Sequence, residues 1–183
     1  MIPVLQVAGY KNSGKTTLIS RLLPLLRQKG VRAAVIKHDV HGFEGDTPGT
    51  DTYAFRTSGA AATAITSPWR TAVVEERETP LTALIERFHQ YDLIVIEGFK
   101  REPYPKLLLV RGTEEDLGLL DSLPQVIGVV FRPAESQSGG LAGEADGIVM
   151  TRIRRKYDIP VFHAENIEEI ARFIETYEGN PAK

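Results

Sequence analysis

Residues 9–16 read Gly-Tyr-Lys-Asn-Ser-Gly-Lys-Thr and fit the spacing G-x-x-x-x-G-K-[ST]. Such a run works in one local setting only, between the end of a buried strand and the start of a helix. Both flanks are present. Residues 4–8, Val-Leu-Gln-Val-Ala, predict a short strand, and residues 16–29 carry Leu18, Leu22, Leu25 and Leu26 at helical spacing. The glycines let the backbone curl so that successive N–H groups face an anion, and the helix N-terminus adds its positive end. Lys15 would bridge β- and γ-phosphates, and the Thr16 hydroxyl is placed to ligate Mg²⁺. Pro24 removes a backbone donor and predicts a kink, and Gly30 ends the helix.

The rest of the chain alternates strands with helices. Residues 31–37 predict a second strand, apolar enough to be buried on both faces. A polar loop over 38–52 follows, rich in turn formers (Gly42, Gly45, Asp46, Pro48, Gly49) and too long for a mere connector. We expect it to be mobile without ligand and to close over one. A short helix at 52–58, an apolar run at 60–65 and a strand at 71–75 come next. Thr79-Pro80 caps a helix whose Leu81, Leu84, Ile85 and Phe88 share a face. Further strands fall at 92–98, 106–110 and 126–131, a loop or disordered segment at 135–147, and short extended pieces at 148–150 and 160–162. Asn166-Ile167-Glu168-Glu169 reads as a capping box opening a last helix with Ile167, Ile170, Ala171 and Ile174 inward. Strands separated by helices imply right-handed crossovers and a mostly parallel sheet.

Composition narrows the chemistry. With 183 residues the chain fits one domain, 1–183. Twenty-two Lys and Arg against 24 Asp and Glu leave a formal charge of −2, so no general cationic field exists to hold a nucleic acid. No cysteine is present, which excludes disulfides, thiolate-bound metal and thiol catalysis. The first apolar stretch lacks a basic leader and is too short to span a membrane, so a cytoplasmic protein with no membrane partner is expected.

A phosphate loop needs a carboxylate at the end of a nearby strand, because Mg²⁺ takes few protein oxygens and keeps several waters. Glu97 closes the run Leu93-Ile94-Val95-Ile96 and occupies that place. Asp39 follows the second strand and could hold a metal-bound water or orient the attacking one. His38 and His41 supply too few ligands for a metal site of their own. Lys100, Arg101 and Lys106 either receive a second anion or form a solvated basic loop, and residues 152–156, with Arg152, Arg154, Arg155 and Lys156, form either a phosphate lid or an exposed helix face. Trp69 reads as a core or interface residue.

Four motifs occur in order: Gly-Tyr-Lys-Asn-Ser-Gly-Lys-Thr-Thr-Leu from Gly9, Val-Ile-Lys-His-Asp from Val35, Asp46-Thr47-Pro48-Gly49 with Asp51-Thr52, and Ile-Glu-Gly-Phe-Lys from Ile96. Together they resemble the molybdopterin-guanine dinucleotide biosynthesis protein B family. The resemblance implies an α/β fold of the P-loop NTPase type, with a mostly parallel sheet flanked by helices on both faces. It implies a GTP-binding, weakly GTP-hydrolysing homodimer that works beside the guanylyltransferase attaching GMP to molybdopterin, with molybdopterin itself as a possible ligand. Carried over by position, Gly9, Asn12, Ser13, Gly14, Lys15, Thr16 and Thr17 would bind the nucleotide phosphates. Thr16, Asp39 and Glu97 would complete the Mg²⁺ and water environment, with Asp39 and Glu97 as the catalytic pair. Related dimers often place lysine after the first loop glycine, whereas this chain has Tyr10 there and Lys11 next. GTP rests on the resemblance alone, since no N-K-x-D or T-K-x-D occurs and Lys156-Tyr157-Asp158 has Arg155 before it. A small-molecule kinase and a nonhydrolysing nucleotide-dependent scaffold are the alternatives.

Overall fold

The computed structural model describes residues 3–133 and 142–177. In chain order the elements are β1 (Val4–Ala8), α1 (Lys15–Gln28), β2 (Ala33–Lys37), α2 (Asp51–Thr57), β3 (Ala62–Ser67), β4 (Arg70–Glu75) and α3 (Leu81–Arg87). There follow β5 (Leu93–Glu97), β6 (Lys106–Val110), α4 (Glu114–Ser122), β7 (Val126–Phe131), α5 (Ala142–Tyr157), β8 (Val161–His163) and α6 (Ile167–Thr176). The described residues form two compact units, one reaching to His38 and resuming at Phe88, the other Asp39–Arg87. Among the described residues no helix is long and apolar enough to cross a membrane.

The first unit is a six-stranded sheet in the order β2-β5-β1-β6-β7-β8, with every neighbouring pair parallel. Parallel neighbours need long crossovers, and helices on both faces provide them. On one face Leu18, Ile19, Leu22 and Leu26 of α1 and Ile170, Ala171 and Ile174 of α6 pack on Leu5, Val7, Val95, Leu109 and Phe162. On the other, Leu119 and Leu120 of α4 and Ile153 of α5 pack on Leu108, Val110, Val129 and Phe131. The interior strands β5 and β6 are buried at every position, including the charged ends Glu97 and Lys106 of their apolar runs.

The second unit holds α2 and the antiparallel hairpin β3–β4, whose register pairs Ala62 with Glu75 and Ser67 with Arg70. Thr50 caps α2 by accepting from the Tyr53 N–H. Asp46 organises the preceding loop: its Oδ1 accepts from the Thr47 N–H (2.9 Å) and from the Thr50 and Thr52 hydroxyls (both 3.0 Å). Burial raises the Asp46 pKa, but these donors, with Arg56, hold the carboxyl below its ordinary value.

Several expectations change. Strand β2 is not buried on both faces: Ala34 and Ile36 are covered, while Val35 is 39% exposed, because β2 is the edge of the sheet. Helix α1, by contrast, spans Lys15–Gln28 with Pro24 inside it, as the helical spacing over 16–29 predicts. Residues 148–150 are not extended but lie within α5, where Val149, Met150, Ile153 and Tyr157 share the face packed on the second core. The expected loop at 135–147 lies mostly outside the described residues, and from Ala142 onward it is helix. The capping box at Asn166 does not form, since its amide donates to the Glu169 carboxylate (3.5 Å) instead of closing a backbone bond. Helix α4 was not anticipated, although Thr113 accepts from the Asp116 N–H (3.1 Å) and Glu114, Glu115 and Asp116 fill its first turn.

Lys106 is fully buried, so it cannot receive an external anion. Its ammonium donates to the carbonyls of Glu102 (3.0 Å), Tyr104 (2.7 Å) and Pro124 (2.5 Å), tying the strand entrance to two loops. Burial pushes its pKa from 10.5 down to about 8. Lys106→Met should cost about 1–3 kcal/mol by stranding three carbonyls. Because the folded value lies below the unfolded one, the unfolded chain binds more protons between about pH 8 and 10.5, and wild-type stability gains with pH in that window. Urea unfolding should therefore show the deficit of Lys106→Met widening from pH 8 towards 10. A deficit that narrows would mean that the carbonyls, not burial, set the lysine's charge.

Candidate functional site

The 9–16 loop is shaped by its backbone before any side chain acts. Gly9 has φ +150°, and a Cβ there would stand 2.7 Å from Ser13 Oγ and 2.9 Å from the Leu109 carbonyl, so no larger residue fits. Asn12 (φ 61°) and Gly14 (φ +95°) are left-handed, and Gly14 is the N-cap of α1 with no side chain closing the helix end. The donors of the first helical turn are thus left open to a ligand. Ser13 is buried at 1% exposure, and its Oγ has no hydrogen-bond partner.

Thr16 Oγ1 donates to both oxygens of the Glu97 carboxylate, at 3.0 and 3.1 Å. Glu97 is only 8% exposed, at the end of β5, the strand directly beside β1. A hydroxyl and a carboxylate at this separation form a hard oxygen pair of the kind Mg²⁺ uses when water and phosphate complete its shell. Lys15 folds back along the loop and donates to the carbonyls of Gly9 (3.3 Å) and Tyr10 (2.7 Å). Burial lowers its pKa; Glu97 works against this, while Lys100 and Lys37 add to it. The ammonium is therefore held near the loop by weak neutral acceptors that a phosphate would outbid.

The turn after Glu97 is clamped. Gln6, fully buried in β1, donates its amide to the carbonyls of Gly98 (3.1 Å) and Phe99 (2.7 Å). The His38 N–H donates to the Glu97 carbonyl (3.0 Å), and the His38 ring stacks on Phe99 at 4.2 Å and 16°. His38 thus works as a packing residue on the strand-end turn. Thr17 and Lys11 are exposed on the loop and first helical turn.

Asp39 is the first residue of the second unit, two positions beyond the end of β2, and its Oδ1 accepts from the His41 N–H (3.0 Å). Three of the basic residues in α5 have partners within the chain: Arg154 donates to the Val161 carbonyl (2.6 Å), Lys156 pairs at the surface with Asp121 (3.1 Å) and Arg152 with Glu114 (3.6 Å). Lys100 stands 5.0 Å from the Tyr10 ring centroid. Trp69, at the hairpin turn, is 90% exposed and not in the core. Sequence reading missed Gln6 as a clamp, although a lone amide in an apolar strand is a usable signal. It also missed Arg132, which follows β7 and reaches the phosphate loop; no local pattern announces it.

The matching family model, molybdopterin guanine dinucleotide synthesis protein B, covers residues 4–132. A probable molybdopterin-guanine dinucleotide biosynthesis adapter protein of Bacillus subtilis (strain 168) is 34% identical over 168 residues, 90% of this chain and 87% of that protein. The molybdopterin-guanine dinucleotide biosynthesis adapter protein of Escherichia coli (strain K12) is 41% identical over 117 residues, 61% of this chain and 67% of its own length. The crystal structure of Bacillus subtilis MobB superimposes with a TM-score of 0.69 at 31% identity, covering 98% of this chain and all of that one. The six-stranded parallel sheet with its phosphate loop is accordingly a P-loop NTPase fold, which implies nucleotide and Mg²⁺ binding in general, and the chain belongs to the MobB family.

Proposed function

We propose that this chain is a GTP-binding accessory protein of molybdenum cofactor biosynthesis, assisting attachment of GMP to molybdopterin and hydrolysing GTP weakly. The observation that carries the reading is the Thr16–Glu97 pair beside an open phosphate loop in a chain of this family. Gly9, Asn12, Ser13, Gly14, Lys15, Thr16 and Thr17 bind the phosphates, and Thr16 and Glu97 hold Mg²⁺. The whole chain, 1–183, acts as one nucleotide-binding domain in the cytoplasm, beside the guanylyltransferase. The engagement of Arg152, Arg154 and Lys156 within the fold supports this over a kinase with an arginine lid. Nucleotide turnover measured alone and then with guanylyltransferase and molybdopterin tests the role. Stimulation by the partners is expected, and fast transfer to a small molecule without them would replace it with the kinase.

Two substitutions separate the parts of the site. Lys15→Ala should lower GTP affinity by about 1.5–3 kcal/mol without unfolding the protein, because the ammonium contacts only loop carbonyls. Calorimetry showing unchanged GTP binding would remove the phosphate-loop assignment. Glu97→Gln should keep part of the nucleotide affinity while flattening the Mg²⁺ dependence of hydrolysis. Equal turnover across a Mg²⁺ titration would make Glu97 structural.

A homodimer is part of the same proposal. The β3–β4 ribbon exposes Ile65 and Val73 on opposite faces and Trp69 at its tip. A two-stranded ribbon with apolar residues on both faces is marginal alone, which supports a second copy packing on it. Sedimentation equilibrium should give a dimer for the wild type and a shift towards monomer for Ile65→Ser with Trp69→Ser. A monomeric wild type would end the dimer reading.

A further inference from the structure

Arg132 is the first residue after β7, and its backbone N–H donates to the Val110 carbonyl at the end of β6 (2.9 Å). Its side chain reaches back over the phosphate loop: a Cβ built on Gly14 would stand 2.5 Å from Nη1 and 3.3 Å from Cδ. The residue is half-buried, and among the described residues no hydrogen bond or ion pair engages the guanidinium. Other cations of this unit are spent on partners: Arg111 on Asp116, Lys106 on three carbonyls, Arg154 on Val161, Lys156 on Asp121.

This placement is electrostatically frustrated. Gly14 caps the N-terminus of α1, the positive end of the helix, where a cation is unfavourable and an anion favourable. The adjacent Ser13 Oγ is buried without a partner, a second polar group left waiting in the same loop. An anion lying between the helix end and the guanidinium relieves that conflict, and a planar five-donor fork suits phosphate oxygens.

The strand order says which phosphates. Glu97 and Thr16 mark the metal side, and Glu97 stands on β5, which flanks β1 on one side. Arg132 follows β7, which reaches β1 through β6 on the other side. Since Mg²⁺ lies between β- and γ-phosphates, the far side belongs to the nucleoside end. We propose that Arg132 is a nucleotide-binding residue that grips the α- and β-phosphates from the side of the sheet opposite the Thr16–Glu97 pair. This rests on the phosphate-loop reading above.

Calorimetric binding of GTP and of GDP, each with Mg²⁺, to the wild type, Arg132→Ala, Arg132→Lys and Lys15→Ala tests it, with circular dichroism confirming the fold. Arg132→Ala should weaken both nucleotides by the same factor, about tenfold to a hundredfold. Arg132→Lys keeps the charge but loses the fork, and should weaken both by less; it decides the matter if Arg132→Ala does not fold. A loss confined to GTP places the guanidinium at the γ-phosphate and overturns the proposal. Binding lost in Lys15→Ala yet intact in both Arg132 variants overturns this proposal alone, whereas a wild type that binds neither nucleotide overturns the phosphate-loop reading and this one with it.

Discussion

Strands β1 and β5 lie side by side in parallel register, Val4 against Ile94 and Val7 against Glu97, and this pairing decides what stands beside the phosphate loop. Side chains alternate along a strand, so a slip of one residue would turn Glu97 to the opposite face and take it from Thr16. The register is secured by burial on both sides of the sheet, since Ile94, Val95 and Ile96 are enclosed. Gln6 adds a directional lock at the strand end, because its amide bonds both carbonyls of the turn that follows Glu97. Chemistry at the sheet edge thus depends on apolar packing below it, with one buried amide converting the packing into a fixed carboxylate.

The same edge gathers more positive than negative charge. Burial depresses the Lys15 pKa, Lys100 and Lys37 lower it further, and Glu97 is the carboxylate opposing them. Such a cluster is costly by itself and favourable once a polyanion neutralises it. The Gly9 and Tyr10 carbonyls, which accept from the Lys15 ammonium, offset part of that cost. The left-handed backbone at Asn12 and Gly14 serves the same end by shaping the loop's turn into α1.

Much of this was legible before any coordinates. The 9–16 run named its own geometry, and Leu93-Ile94-Val95-Ile96 followed by Glu97 announced a buried strand with a carboxylate at its tip. What failed to show were features set by tertiary neighbours. The composition of β2 suits a buried strand, yet only its position at the sheet edge leaves Val35 exposed. Ile148, Val149 and Met150 have strand propensity, and their helical state follows from packing with Ile153 and Tyr157 on the second core. Lys106 read as a surface cation because charge predicts exposure; the carbonyl cage that makes burial tolerable is assembled from Glu102, Tyr104 and Pro124, which no periodicity connects.

Lys106 and Arg132 show how burial separates a structural cation from a ligand-directed one. Lys106 opens β6 and Arg132 follows β7, and neither has a carboxylate partner among the described residues. Around Lys106 three carbonyls converge, so its N–H donors are all engaged within the fold and have nothing left to offer. Arg132 instead lies against Gly14 at the positive end of α1, and no acceptor among the described residues answers its charge. A chain conserves no stability by holding an unanswered guanidinium against a helix N-terminus; the arrangement becomes favourable only when an anion enters between them. The distinction lies in what surrounds each cation, and it separates two residues that composition alone would count as the same.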